Sequence, residues 1–395
     1  MARISRRLIG WVAAALAAVL LLAIATVVLV VMLVDPNEHK PRIEALAREQ
    51  IGRDLKLTGT LSWRIAPWLV VESAGGTLSN PAGFDGPPFA AWQRLRLGLR
   101  LRPLLKREFI VDRIAIDGLD LRLHRNAAGQ DNWSFASAPR SPDAVEPRLQ
   151  IDALELTRAH VSFDDDIKAA HWRAEDLALS LRLPTGATSQ RVQAESVELG
   201  ARIFGGQLSP QGLAVAFAAP RVVYDGAAMS VQLAAFKAKL DDASVSGALE
   251  AGIGEALTAQ GKVDVATPRL RELLLALGVA VPATRDAGVI RRFTLASSFT
   301  LAADRFVTGG LALQMDETRI AGDLRMPSLE QGSIRFDLKG DSIDLDRYLE
   351  PEGTVSKPFE LQLAQLKALD AAGQLTFERA KLGGIAIVGL TLKVE

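Results

Sequence analysis

Four histidines, His39, His124, His160 and His171, are the side chains best suited to acid-base or metal chemistry near neutral pH, and they are scattered along the chain. No HExxH pair, no spaced carboxylate-histidine set and no GxSxG turn accompanies them. The chain has 0 cysteines, which removes thiolate nucleophiles, disulfides and cysteine zinc sites together. Asp164-Asp165-Asp166 could meet a hard cation but lacks the alternating ligands and distal glutamate of a calcium loop, so it reads as a solvated turn. Gly261-Lys262 runs on into Val263 instead of a hydroxyl residue, and the upstream glycine of a phosphate loop is missing. Asn132-Trp133-Ser134 has the form of a glycosylation acceptor. These residues converge on no nucleophile, base or metal cage; the expectation is a protein that is not an enzyme and holds no cofactor.

With 46 Lys+Arg against 46 Asp+Glu, the chain also lacks the basic footprint of a nucleic-acid binder. Its information lies in the apolar residues, which are 49% of the total. Leu8 to Val34 carries no charge and no proline. As a helix rising about 1.5 Å per residue it would measure about 40 Å, enough to cross a ~30 Å hydrocarbon core with tilt. Leu8, Trp11, Leu22 and Val34 are its candidate anchor residues. The run exceeds the apolar stretch of about 7 to 15 residues found in cleaved signal peptides, so it is expected to stay attached. Arg3, Arg6 and Arg7 precede it, whereas Asp35, Glu38, Lys40 and Arg42 nearly cancel after it. That asymmetry predicts a cytoplasmic N-terminus at residues 1–7, a membrane helix at 8–34 and an exported body at 35–395.

The body opens with an expected amphipathic helix, Asn37 to Ile51, with Ile43, Leu46, Ala47 and Ile51 on one stripe and Gly52 at its end. Beyond it the period becomes two. In Arg94 to Arg102, Leu95, Leu97, Leu99 and Leu101 face one way and Arg94, Arg96, Arg100 and Arg102 the other. The arginines could touch anionic headgroups or simply keep an outer sheet face soluble. Ile114 and Ile116, then Leu119, Leu121 and Leu123, repeat the alternation around Asp117-Gly118, which reads as a tight turn, and Leu177, Leu179 and Leu181 continue it. Pairs such as Phe293/Leu295, Leu311/Leu313, Ile334/Phe336 and Leu375/Phe377 carry it to the end. Two irregular stretches interrupt: a loop at about 136–147, and a helix at about 268–278 expected to pack on or plug the sheet. So many half-apolar strands with so few helices predict a mainly β fold: an elongated, curved antiparallel β-sheet groove with a few short helices. The leucines and isoleucines from Leu95 to Leu181 named above are the candidate lining of its apolar trough.

Several motifs in order resemble the AsmA family of bacterial envelope proteins. They are Asp35-Pro36-Asn37, Lys40-Pro41-Arg42-Ile43, Gly52-Arg53-Asp54-Leu55, Asn80-Pro81-Ala82-Gly83-Phe84, Pro88-Phe89-Ala90, Gly129-Gln130-Asp131-Asn132-Trp133 and Asp344-Leu345-Asp346-Arg347-Tyr348-Leu349. The resemblance implies an inner-membrane anchor, a periplasmic body like that of bridge-like lipid-transfer proteins, and a part in carrying phospholipid toward the outer membrane and in outer-membrane biogenesis and integrity. It accounts for Asn132 as part of a turn and not a glycan acceptor. Expected partners are membrane phospholipids and the inner membrane, with no nucleic acid. The alternative is a non-transporting scaffold that pairs its sheet edges with outer-membrane or periplasmic assembly proteins. Family chains run longer, and Leu390 to Glu395 stops within an alternating segment, so truncation is expected too.

The charge asymmetry around the apolar run makes a direct prediction. Alkaline phosphatase fused after Gly52 is expected to be active and β-galactosidase fused there inactive; the reverse pattern would overturn the exported topology.

Overall fold

The computed structural model describes residues 35–65, 69–100, 111–135, 151–183, 191–254, 256–351 and 370–394. The apolar run at 8–34 and the loop at 136–147 lie outside them. Among the described residues no helix is long and apolar enough to cross a membrane. Contacts divide the chain into two units, Met1–Ile151 and Asp152–Glu395.

The described part of the first unit opens on a 3-10 turn, Pro36–His39, because the Asp35 carboxylate accepts the Asn37 N–H at 2.8 Å and Pro36 fixes the following backbone. Helix α1, Lys40–Ile51, follows and ends at Gly52, whose φ of +69° suits only glycine well. Its docking differs from the expected apolar stripe. Ile43 and Leu46 remain 39% and 48% exposed. Polar side chains hold the helix instead: Asn37 exchanges two hydrogen bonds with the Leu61 backbone, Lys40 Nζ donates to Gly59 O at 2.6 Å, and Glu44 accepts the Leu57 N–H at 2.8 Å.

Short strands complete this unit: β1 (Leu55–Lys56), β2 (Leu61–Ile65), β3 (Leu69–Ser73), β4 (Gly76–Leu78), β5 (Ala90–Trp92), β6 (Arg94–Leu99), β7 (Val111–Asp117) and β8 (Asp120–Arg125). β2, β3, β6 and β7 form one antiparallel run, while β1, β4, β5 and β8 form another. Asp117-Gly118 does turn the chain, with Gly118 at φ +65°. It makes no hairpin, since β7 takes β6 as neighbour and β8 takes β5.

The second unit is built from long strands: β9 (Ala153–Asp165), β10 (Ala170–Arg182), β11 (Arg191–Ala194), β12 (Ser196–Gly205), β13 (Leu213–Asp225), β14 (Ser230–Leu240), β15 (Ala243–Ile253), β16 (Leu257–Thr267), then helix α2 (Leu270–Ala276), β17 (Phe293–Ala302), β18 (Arg305–Met315), β19 (Thr318–Met326), β20 (Ile334–Asp344), β21 (Ala371–Leu382) and β22 (Ile385–Val394). From β9 to β20 the strands pair antiparallel in chain order, except that β10 joins β12 and that β11 and β12 both join β13. β21 departs from the expected all-antiparallel sheet: it joins β20 in parallel, because the chain after Asp344 returns to the edge where β20 began. Of the Asp164 triplet, Asp164 and Asp165 end β9 and Asp166, which is exposed, opens the turn that follows. Asp165 is 2% exposed and its carboxylate accepts the N–H groups of Ile167 and Lys168. Asp225 caps the β13–β14 turn in the same way.

Two glycines on one sheet face mark close backbone approach. A Cβ at Gly247 would lie 2.0 Å from Lys262 O on β16, and one at Gly261 2.2 Å from Ala248 O on β15. Gly247→Ala is therefore expected to destabilise by about 1–3 kcal/mol. Gly200→Ala on β12, where a Cβ meets nothing within 4 Å, should stay within about 0.5 kcal/mol of the parent. Equilibrium unfolding of the two variants checks the contrast.

Candidate functional site

Cross-strand register turns local alternation in the second unit into a continuous surface. Leu156, Leu179, Leu199, Phe217, Ala238, Val245, Val265, Leu295, Leu313, Ile320, Gly340 and Phe377 are successive neighbours from β9 to β21. A second row, Tyr224, Val231, Ala251, Ala259, Leu301, Phe306 and Met326, runs nearer the strand ends. One residue along, the opposite face reads Glu198, Ala218, Lys237, Ser246, Asp264, Ala296, Ala312, Ala321 and Lys339. In the first row only Gly340 and Phe377 are fully buried, and the rest are half-buried. They are shielded by lateral neighbours and not by a second layer among the described residues. The phenyl rings of Phe217 and Phe236, and of Phe299 and Phe306, stack at 6.2 Å and 6.1 Å on this face. Sequence alternation located the strands but not these stacks, which depend on register.

The two edges of the sheet differ. Where β14 meets β15, β16 meets β17 and β18 meets β19, helix α2 and residues 279–292 cover the strand ends. Buried there are Ala243, Thr267, Val289, Asp316 and Thr318. Thr267 Oγ1, at the end of β16, accepts the Arg269 N–H; the helix itself begins at Leu270 with no side-chain cap, later than the expected 268, and Gly278 at φ +75° follows its last turn. Asp316 organises the cover. Its carboxylate accepts the backbone N–H of Ile290 (2.7 Å), Arg291 (3.0 Å) and Arg292 (3.1 Å) and the hydroxyl of Tyr348 (2.9 Å). Burial alone would raise its pKa, but these donors hold it below the ordinary carboxylate value. Arg347 bridges Asp286 at 2.7 Å and Glu317 at 2.6 Å, and Asp346 accepts from Gly383 and Gly384 at the β21–β22 turn. The Asp344–Leu349 stretch is thus a clamp tying three turns together.

Of the predicted lining residues, Leu97 lies beside Val71 and Ile114, and Leu95 beside Ile116, while Leu99 pairs with Leu69, all half-buried. Leu121 belongs to the other strand run, opposite Ala90, with Leu123 on the same strand and Leu119 just before it. The first unit therefore offers two short apolar stretches, not one continuous track through Leu95 to Leu123. Leu177, Leu179 and Leu181 lie on β10, facing Ala159, Leu156 and Leu154 of β9. Leu101 and the anchor residues Leu8, Trp11, Leu22 and Val34 lie outside the described residues. The arginine face is engaged internally: Glu72 pairs with Arg64, Arg94 and Arg96 at 3.1, 3.4 and 3.0 Å, and these cations outweigh burial to lower its pKa. His171 pairs with Asp164 at 2.7 Å, and the His124 ring meets Phe84 edge-on. Asn132 is 2% exposed; it accepts the His124 N–H and donates to Asn80 Oδ1 and Arg122 O, so its amide is consumed by the turn. Among the described residues no cluster of His, Asp or Glu could hold a metal ion.

Among the described residues the second unit is thus a largely antiparallel sheet with one apolar face and one capped edge. The AsmA family profile matches residues 7–377, and the chain belongs to that family. It is similar to "Protein AsmA" of Escherichia coli (strain K12), 26% identical over 34% of this chain and 23% of that protein, and to "AsmA family protein YhjG" of the same organism, 24% identical over 51% of this chain and 32% of that protein. The chain thus spans under a third of the length of these relatives, and no solved structure matches it.

Because the Asp316 pKa is lowered in the folded protein, its stabilisation is present above the unfolded carboxylate pKa near ~3.9 and is lost as pH falls through the folded value. Asp316→Asn is expected to cost about 2 kcal/mol at pH 7. The gap from the parent should narrow below about pH 4, as read from denaturant unfolding across pH.

Proposed function

We propose that this protein shields phospholipid acyl chains on its apolar sheet face and carries them through the periplasm toward the outer membrane, supporting outer-membrane biogenesis and integrity, while residues 8–34 anchor it in the inner membrane with the N-terminus in the cytoplasm. Its partners are the inner membrane and its phospholipids. No step requires a catalytic residue or cofactor. The observation that carries the reading is the continuous cross-strand row from Leu156 to Phe377, which offers an apolar surface across successive strands without a second protein layer among the described residues. An acyl chain laid there gains about 0.8 kcal/mol per buried CH2. The charged side chains Glu198, Lys237, Asp264 and Lys339 stay on the opposite face and leave the apolar row to the acyl chains. Alanine and glycine between the leucines and phenylalanines keep the row without a strongly polar trap.

Adjacent residues on β17 give the test, since Leu295 faces the apolar side and Thr294 the outer one. Leu295→Asp is expected to lower phospholipid bound to the purified full chain and to weaken the envelope barrier, at protein levels matched to the parent. Thr294→Asp should leave both unchanged. Arg96→Asp would be a poor control, because Arg96 sits 3.0 Å from Glu72. Equal lipid occupancy in the parent and Leu295→Asp proteins, or recovery of unfolded outer-membrane strands in place of lipid, would contradict the proposal.

A further inference from the structure

On the last strands of the second unit the apolar face changes character within one step. Ile320, Gly340, Phe377 and Leu390 are register neighbours on β19 to β22 and carry the apolar row. Two residues from the first three of them, and on the same face by alternation, stand Thr318, Ser342 and Arg379. Together with Arg347, Tyr348 and Lys381 they line an open cleft of about 300 Å³. The polar groups around it are matched, with one exception. Arg347 lies 2.7 Å from Asp286 and 2.6 Å from Glu317, and Lys381 lies 3.2 Å from Asp344 and 3.8 Å from Asp346. Thr318 Oγ1 donates to Ser342 O and the Tyr348 hydroxyl to Asp316, so both hydroxyls are engaged. Among the described residues Arg379 pairs with no carboxylate, and the hydroxyl of Ser342, its register neighbour, makes no hydrogen bond. The end of the apolar row therefore presents one uncompensated positive charge and a free hydroxyl side by side.

We propose that this cleft takes the phosphodiester of a phospholipid headgroup: the Arg379 guanidinium and the Ser342 hydroxyl donate to its phosphate oxygens, while the acyl chains lie over Phe377, Leu390 and the row beyond. The inference rests on the acyl-chain reading above and adds the class of headgroup and the way round in which a lipid lies. A phosphodiester carries one negative charge at neutral pH and so matches one free cation, and the planar guanidinium fork suits two oxygens of one phosphate. A phosphate monoester, with close to two charges, is disfavoured by Glu317 and Asp344 at the margin of the cleft. At about 3.3 Å per residue, Arg379 stands about 7 Å from Phe377 along β21, so a phosphate held at the first leaves the nearest methylenes over the second. One exposed cation orients a lipid without trapping it, because a single ionic contact in water is weak.

The purified full chain, held in amphipol, is titrated with four probes. Dihexanoyl phosphatidylethanolamine has chains and phosphate, dihexanoylglycerol has the same chains and no phosphate, and glycerophosphoethanolamine and inorganic phosphate have no chains. The phospholipid is expected to bind about tenfold more tightly than dihexanoylglycerol, the worth of one charge-assisted contact. Arg379→Gln should lose that advantage and Arg379→Lys keep most of it. Dihexanoylglycerol should bind the parent and Arg379→Gln alike, which also shows that the variant keeps its apolar face. Equal affinity of the parent and Arg379→Gln for the phospholipid overturns the headgroup cleft, as does loss of both lipids in Arg379→Gln, which would make the arginine structural. Free phosphate or glycerophosphoethanolamine bound as tightly as the phospholipid overturns it too, by showing an anion site with no use for chains. The acyl-chain reading survives each of these results if dihexanoylglycerol binds the parent and not Leu295→Asp. A parent that binds neither lipid overturns both.

Discussion

A β-sheet with one apolar face must put something against it, and in the second unit of this protein no protein layer does so among the described residues. That constraint organises the rest. Side chains from Leu156 to Ile320 are half-buried because only lateral neighbours cover them. The glycines at 247 and 261 let adjacent backbones close together on that same face. Capping elements gather at one edge, where the ends of the strands would otherwise open to water. Asp316 is satisfied there by three backbone N–H groups and Tyr348, whereas the buried Nε of Arg271 on α2 is left without a partner.

Period-two alternation made the strands legible, and the spacing of Leu270, Leu273 and Leu274 made α2 legible, since both depend only on near neighbours. Register and pairing partner were not. Asp117-Gly118 has the composition of a hairpin turn, but whether flanking strands pair with each other is decided by distant segments, here β5 and β6. The helix at Lys40–Ile51 kept its bounds to within a 3-10 turn yet docks through Asn37, Lys40 and Glu44, because backbone groups at Gly59 and Leu61 offered better partners than any apolar surface. The Asp344–Leu349 motif was recognisable as a motif, while its work as a clamp needs Asp286, Asp316 and Gly383, each remote in sequence. Placing the turns on one edge or the other likewise required the topology.

Under the proposed function an anchor at residues 8–34 would hold the apolar sheet near a source of lipid, and a balanced charge of 46 against 46 leaves no strong field to immobilise headgroups.

The central claim, that acyl chains lie on the apolar face of the sheet, is tested most directly by a photoactivatable amino acid at Leu313 or at its neighbour Ala312, in the full chain in cells. These adjacent residues of β18 face opposite sides. Mass spectrometry after irradiation should find phospholipid crosslinked at Leu313 and little or none at Ala312. Equal lipid at both positions, or protein alone at Leu313, would contradict the account.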